Sequence, residues 1–162
     1  MALQQEELKK VMRTRWDEKG MAYDDMCAHG TKSPEEKELW RKILERLGPG
    51  GLSVLDVGTG TGFVALLLAE LGHRVTGIDW SKTMLALAGE KAQRENLAIS
   101  FVEGETESLP FGTGTFDAVV ARHVLWTLTE PQQALAEWYR VLKQGGRVMA
   151  DYSHRGPGMA GH

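Results

Sequence analysis

Cysteine is almost absent: Cys27 is the single one in 162 residues. One thiol cannot close a disulfide within the chain, nor build a cysteine-based zinc site. A strong charge of one sign is lacking too. Lys and Arg number 19 against 22 Asp and Glu, a net charge of −3, so nothing in the charge suggests a general nucleic-acid-binding surface. No apolar run approaches the ~20 residues of a membrane span, and the opening M-A-L-Q-Q-E-E-L-K-K lacks the apolar core of a signal peptide. A cytoplasmic protein with no membrane contact is the expectation. Internal repeats and low-complexity segments are missing as well. What remains, 42% hydrophobic and 25% charged, is the make-up of a soluble globular protein of one domain.

Glycine, by contrast, is plentiful and pointedly placed. Ser53 to Gly62 reads S-V-L-D-V-G-T-G-T-G. Val54-Leu55-Asp56-Val57 has the composition of a strand buried on both faces. Gly58, Gly60 and Gly62 follow at alternate positions, and Val64, Leu67, Leu68 and Leu71 then recur at helical spacing over Phe63 to Leu71. Strand, glycine turn and helix make a cradle. Without a Cβ the turn can take φ > 0 and admit a ligand to the backbone, while the helix start offers unpaired N–H groups and partial positive charge. Alone, such a turn also occurs as an ordinary tight turn. The spacing G-x-G-x-G differs from the dinucleotide pattern G-x-G-x-x-G. Further on, Arg74 to Trp80 reads R-V-T-G-I-D-W, a second strand ending in Asp79. An acid there suits a ribose diol, because a carboxylate accepts two hydrogen bonds.

In chain order, Leu3, Leu8, Val11, Met12 and Trp16 predict an amphipathic helix over residues 3–18, ended by Gly20, and Met21 to Thr31 reads as a loop. Ser33-Pro34-Glu35-Glu36 is a helix start, with Ser33 as N-cap, Pro34 at the first position and Glu36 closing a capping box. Leu39, Trp40, Ile43, Leu44 and Leu47 form one apolar face, and Gly48 stops the helix. After the second strand come a helix over Ser81–Glu95, a third strand over Ala98–Val102, a loop over Glu103–Thr115 and a fourth strand over Phe116–Ala121. A helix over Pro131–Lys143, the pair Gly145-Gly146 and a fifth strand over Arg147–Tyr152 follow. The glycine-rich end, 153–162, is expected to be disordered. Alternating strands and helices predict an α/β fold with a parallel sheet and right-handed crossovers. In such sheets the ligand sits beyond the carboxyl ends of the strands, where strand order reverses.

V-L-D-V-G-T-G-T-G and G-I-D-W-S together resemble the first motif and the second-strand acidic motif of the class I S-adenosylmethionine-dependent methyltransferases, of the type 11-like kind. Three later stretches are similar to the same family. E-G-E-T-E-S-L-P-F (Glu103 to Phe111) stands where the family has G-D-A, with Glu105 in place of the aspartate. F-D-A-V-V-A-R-H-V-L-W-T-L (Phe116 to Leu128) resembles the fourth strand and the loop beyond it. R-V-L-K-Q-G-G-R-V (Arg140 to Val148) resembles R-V-L-K-P-G-G, with Gln144 replacing proline. The resemblance implies a Rossmann-like sheet of five strands in order 3-2-1-4-5. Residues 1–48 would form a helical lid, 49–152 the cofactor-binding core and 153–162 a flexible tail. The family's sheet has seven strands and this chain ends after the fifth. Either the protein is shortened, or the chain is a fragment, or another chain covers the open edge; a homodimer through that edge is one expectation.

The resemblance also assigns residues. Gly58, Gly60 and Gly62 would pass against the methionine part of S-adenosylmethionine, with Asp56 organising the turn and Thr59 and Met84 beside it. Asp79 would hold the ribose hydroxyls, and Trp80 would lie against adenine. Glu105 and the N–H of Thr106 would hold adenine's polar edge. Tyr23, with Trp16 and Asp24, loosely resembles a lid pattern that reaches the cofactor's carboxylate. Methyl transfer needs a general base only where the acceptor is protonated. His123, past the fourth strand, is the candidate, and its alternative is a histidine bonded to loop backbone. Arg122 would touch the cofactor, bind an anionic acceptor or cap a helix. Trp126 would stack on the acceptor or pack. Cys27, His29 and His123 could in principle hold a soft metal, but no metal is expected. His73-Arg74 reads as a solvated turn, and Trp40 and Trp138 as core.

The resulting expectation is methyl transfer to a small-molecule acceptor rather than to nucleic acid, with S-adenosylhomocysteine as product. The rivals are a non-catalytic S-adenosylmethionine-binding protein and a Rossmann-like nucleotide-binding oxidoreductase.

Overall fold

The computed structural model describes residues 33–122 and 128–150. The predicted helix over 3–18, the loop with Tyr23, Asp24, Cys27 and His29, the residues His123 and Trp126, and the tail lie outside them. Within them, helix α1 (Pro34–Glu45) precedes a regular alternation: β1 (Ser53–Val57), α2 (Phe63–Glu70), β2 (Arg74–Asp79), α3 (Lys82–Arg94), β3 (Ile99–Glu103), β4 (Phe116–Ala121), α4 (Pro131–Val141) and β5 (Leu142–Ala150).

The strands form one five-stranded sheet in the order β3-β2-β1-β4-β5. Every pairing is parallel. This is the predicted fold class, strand order included. Register aligns the carboxyl ends: Val57 lies opposite Ile78 on one side and Ala121 on the other, and Asp79 opposite Glu103. One edge therefore collects the ends of β1 to β4 and the loops that leave them.

Alternation along β1 fills both faces. On one face Leu55, Val57, Ile78, Val119 and Ala121 pack beneath Ala134, Trp138 and Val141 of α4, with Leu109. On the other, Val54, Val75, Ala118 and Val120 pack beneath Leu44 and Leu47 and beneath Val64, Leu67 and Leu68 of α2. Trp138 is fully buried, as its helical spacing predicts. Its indole Nε1 donates to Thr106 O at 3.2 Å, so the core anchor also grips the loop after β3.

Several expectations change. Leu39 is 58% exposed rather than inward. Trp40, Leu44 and Leu47, at i, i+4 and i+7, already form the stripe that meets the core, and Leu39 falls about 100° around the helix from Trp40. The third strand runs one residue later, over Ile99–Glu103. The Gly145-Gly146 turn is not a connection before β5 but a bulge inside it. Phe116 pairs with Leu142 and Ala118 with Arg147, so the longer arm swells between them. A Cβ on Gly146 would stand 2.9 Å from Leu142 Cδ2 and 3.0 Å from Asp117 O, which is why a glycine sits there. His73 is not solvated; it is buried, and its Nδ1 accepts from Leu52 N–H at 3.3 Å. No helix of the described residues is long and apolar enough to cross a membrane.

Candidate functional site

The glycine turn crosses the carboxyl end of β2 and is bonded to it. Thr59 N–H donates to Ile78 O at 3.0 Å, and Gly60 N–H donates to Asp79 Oδ2 at 2.9 Å. The other oxygen, Oδ1, accepts from Ser81 N–H at 3.0 Å, and Ser81 Oγ caps α3 by accepting from Met84 N–H at 3.2 Å. One carboxylate thus ties the turn after β1 to the start of α3. A carboxylate oxygen accepts more than one hydrogen bond, so these bonds are compatible with a diol's donors.

Gly58, Gly60 and Gly62 have φ of 66°, 56° and 90°. That left-handed region is where glycine alone is unstrained. A Cβ added at Gly60 would meet nothing within 4 Å, so the turn opens onto free space. Gly62 faces inward instead, 3.1 Å from Ala88 Cβ by the same construction, and leads into α2. A glycine that sequence reasoning did not single out is also required. A Cβ on Gly77 would stand 2.8 Å from Thr59 Oγ1 and 2.9 Å from the Phe101 ring, so only glycine in β2 lets the turn pass so close. A backbone edge without side chains, a helix start and a paired acid beside open space fit a nucleoside-bearing ligand.

Beneath the turn, Asp56 is 2% exposed. Its Oδ2 accepts from Thr59 Oγ1 at 2.7 Å. Burial pushes this carboxyl up to about 7; the Thr59 hydrogen bond and the Arg122 charge pull it down, and the Asp79 charge adds to the rise. Met84 is buried and Trp80 half-buried. In the loop after β3, Glu105 bridges to Ser108. Thr106 turns its carbonyl to Trp138.

Sequence reasoning also passed over Glu107. It is 4% exposed, and its carboxylate accepts from Thr129 N–H at 3.3 Å and from Thr129 Oγ1 at 3.2 Å. Gln133 Nε2 donates to its carbonyl at 3.0 Å. Nothing in E-T-E-S separates the buried acid from its neighbours. Further along, the Glu137–Arg140 pair of α4 clamps Leu109 and Phe111 by backbone hydrogen bonds.

The Arg122 guanidinium lies 4.6 Å from the Phe63 ring centroid and 5.3 Å from that of Trp40, and its Nη2 meets Glu36 Oε1 at 3.4 Å. Ser33 caps α1 as predicted, accepting from Glu36 N–H at 3.1 Å. So the structure gathers Asp56, Gly58, Thr59, Gly60, Gly62, Asp79, Trp80 and Met84 around the ends of β1 and β2, with Glu105 and Thr106 following β3 and Arg122 following β4. His123 and Tyr23 lie outside the described residues. Among the described residues, no three His, Cys, Asp or Glu side chains are grouped to hold a metal ion.

Comparison with known proteins bears on this arrangement. The sequence profile of a family described as a methyltransferase domain matches residues 55–150. Demethylmenaquinone methyltransferase of Thermus thermophilus is 42% identical over 98 residues, 59% of this chain and 44% of that protein. A SAM-dependent methyltransferase from Aquifex aeolicus superposes with a TM-score of 0.65 at 25% identity, over 78% of this chain and 79% of that one. Haemonchus contortus phosphoethanolamine N-methyltransferase 2, solved with phosphomonomethylethanolamine and S-adenosylhomocysteine, gives 0.72 at 31% identity, over 83% of this chain and 32% of that one. The chain spans about half the length of the curated relatives it matches.

Proposed function

This chain belongs to the methyltransferase domain family, and from that premise we propose that it binds S-adenosylmethionine at the carboxyl edge of its sheet and transfers the methyl group to a small organic acceptor. One observation carries the reading: the Asp79 carboxylate bonded to Gly60 N–H beside a left-handed glycine turn that opens onto free space. S-adenosylmethionine supplies an electrophilic methyl on a sulfonium. The protein's share is positioning and exclusion of water. Asp79 holds the ribose hydroxyls, and Trp80 lies against the adenine, whose polar edge meets Glu105 and the Thr106 N–H. Gly58, Thr59 and Gly60 carry the methionine part over Asp56, with Met84 behind. Tyr23 would reach the cofactor's carboxylate. His123 accepts the proton where the acceptor gives one up.

Curated relatives are named for demethylmenaquinone and for ubiquinone/menaquinone biosynthesis. A reduced demethylated quinone is therefore the first acceptor to test. We place the protein in the cytoplasm, with no nucleic-acid partner. We also carry the homodimer through the outer edge of β5; a monomer mass by light scattering excludes it.

The test is release of S-adenosylhomocysteine from S-adenosylmethionine with reduced demethylmenaquinone and a panel of small phenols and amines. Turnover on one of them supports transfer, and His123→Gln is expected to lower it by ~10²-fold with cofactor affinity unchanged. Cofactor binding without turnover on any acceptor leaves a cofactor-binding protein and overturns the enzymatic reading.

A further inference from the structure

Arg122 carries a positive charge that acts on the floor of the cofactor turn, and its surroundings belong to three separate elements. It leaves the end of β4 with its side chain 13% exposed. Phe63, whose ring it covers at 4.6 Å, is the first residue of α2, directly after Gly62. Trp40 and Glu36, which it also meets, both sit on α1. Its charge also acts on the buried Asp56 carboxyl under the turn. A planar guanidinium can lie against rings with its face while pairing with a carboxylate at its rim, and lysine's compact ammonium has no such face.

From this placement, and resting on the cofactor site proposed above, we infer that Arg122 is a positioning residue that couples occupancy of the glycine turn to the seating of α1. The reasoning follows the contacts. A cofactor on the turn restrains Gly58 to Gly62 and the first turn of α2. Phe63 moves with that turn, so its face toward the guanidinium becomes fixed. A fixed guanidinium then holds Trp40 and Glu36, and with them the first two turns of α1. The apolar anchors Leu44 and Leu47 lie at the other end of the helix, so that end stays seated without help from Arg122. The coupling falls on Pro34 to Trp40. Restraint passed along packed side chains in this way gives a coupling free energy without a change of fold.

The measurement is amide hydrogen exchange of the full chain, with and without saturating S-adenosylhomocysteine, in wild type, Arg122→Met, Arg122→Lys and Glu36→Gln. In wild type the ligand is expected to slow exchange both in the turn 58–62 and in α1, the latter by ~10-fold. Arg122→Met is expected to keep the slowing at the turn and lose it at α1. Arg122→Lys, which keeps the ion pair but not the stacking, should fall between them. A merely structural Arg122 would instead loosen α1 equally with and without ligand. Should Arg122→Met fail to fold, Glu36→Gln, a change on a half-exposed residue, must still weaken the α1 response. Protection of the turn in wild type with no response in α1 overturns the coupling alone, as does an α1 response that survives Arg122→Met. No protection at the turn in wild type overturns the cofactor site and the coupling together.

Discussion

The two edges of the sheet use the same residue types to opposite ends. At the amino edge, Gly50, Gly51 and Gly72 close on one another: Gly51 N–H donates to Gly72 O at 2.9 Å, and a Cβ on Gly50 would stand 2.8 Å from Leu71 O. At the carboxyl edge, a Cβ on Gly60 would meet nothing within 4 Å. Gly50 lets the chain touch itself, whereas Gly60 leaves room beside the turn. The aspartates divide in the same way. Asp117, at the start of β4, accepts from Ser53 N–H at 2.8 Å and pairs with Lys143 at 3.5 Å, and the Ser53 bond foremost holds its carboxyl below the usual range. Asp56, next to last in β1, is pushed up to about 7 by burial. Charges at the amino edge are matched for stability, whereas at the carboxyl edge a carboxyl is kept where ionising it is costly. Such groups cluster where a protein binds or reacts.

Exchanging one glycine at each edge should split the comparison most sharply. Gly50→Ala drives a Cβ into carbonyl oxygens and is expected to lower stability by about 2–3 kcal/mol, leaving the cofactor affinity of the folded fraction unchanged. Gly60→Ala puts a left-handed strain of ~1 kcal/mol on the turn and fills the open space, so affinity should drop by well over tenfold while the melting temperature moves little. Equal effects of the two on binding would break the distinction.

The aspartate pair is the smaller test, read as stability against pH. Asp56 has a folded-state value of about 7 above its ordinary 3.8, so the native state keeps a proton that the unfolded chain releases. Its contribution is therefore present at low pH and lost as pH climbs from about 4 to about 7. Asp56→Asn should flatten that fall in chemical-denaturation midpoints. Asp117 runs the other way. Its carboxyl is depressed, so its contribution is present above its ordinary 3.8 and lost as pH falls through the folded value. Asp117→Asn should cost under about 1 kcal/mol near neutral pH and progressively less in acid. Parallel pH profiles for the two variants would contradict the assignment.

Most of this contrast was legible in the sequence at one edge only. S-V-L-D-V-G-T-G-T-G and R-V-T-G-I-D-W gave the cradle and its acid, because a buried strand, alternate glycines and a terminal carboxylate are local patterns. Five strands in the right order followed from alternation and the resemblance. What stayed hidden depends on contacts between distant residues: Thr59 and Phe101 crossing over Gly77, Leu52 N–H donating to His73, and Thr129 and Gln133 meeting Glu107. The turn at Gly145-Gly146 was visible, but pairing with β4 drew it into the strand as a bulge. Arg122 was noticed for its position, yet its partners on α1 lie more than eighty residues earlier.

The most direct test of the carboxyl-edge site is a calorimetric titration of the full chain with S-adenosylmethionine and S-adenosylhomocysteine, repeated with Asp79→Ala. The account predicts saturable binding near micromolar that weakens by ~100-fold or more in the variant, since a carboxylate holding both a diol and the turn contributes about 3 kcal/mol. Folded protein that binds neither ligand, or a variant that binds as tightly as wild type, would contradict it.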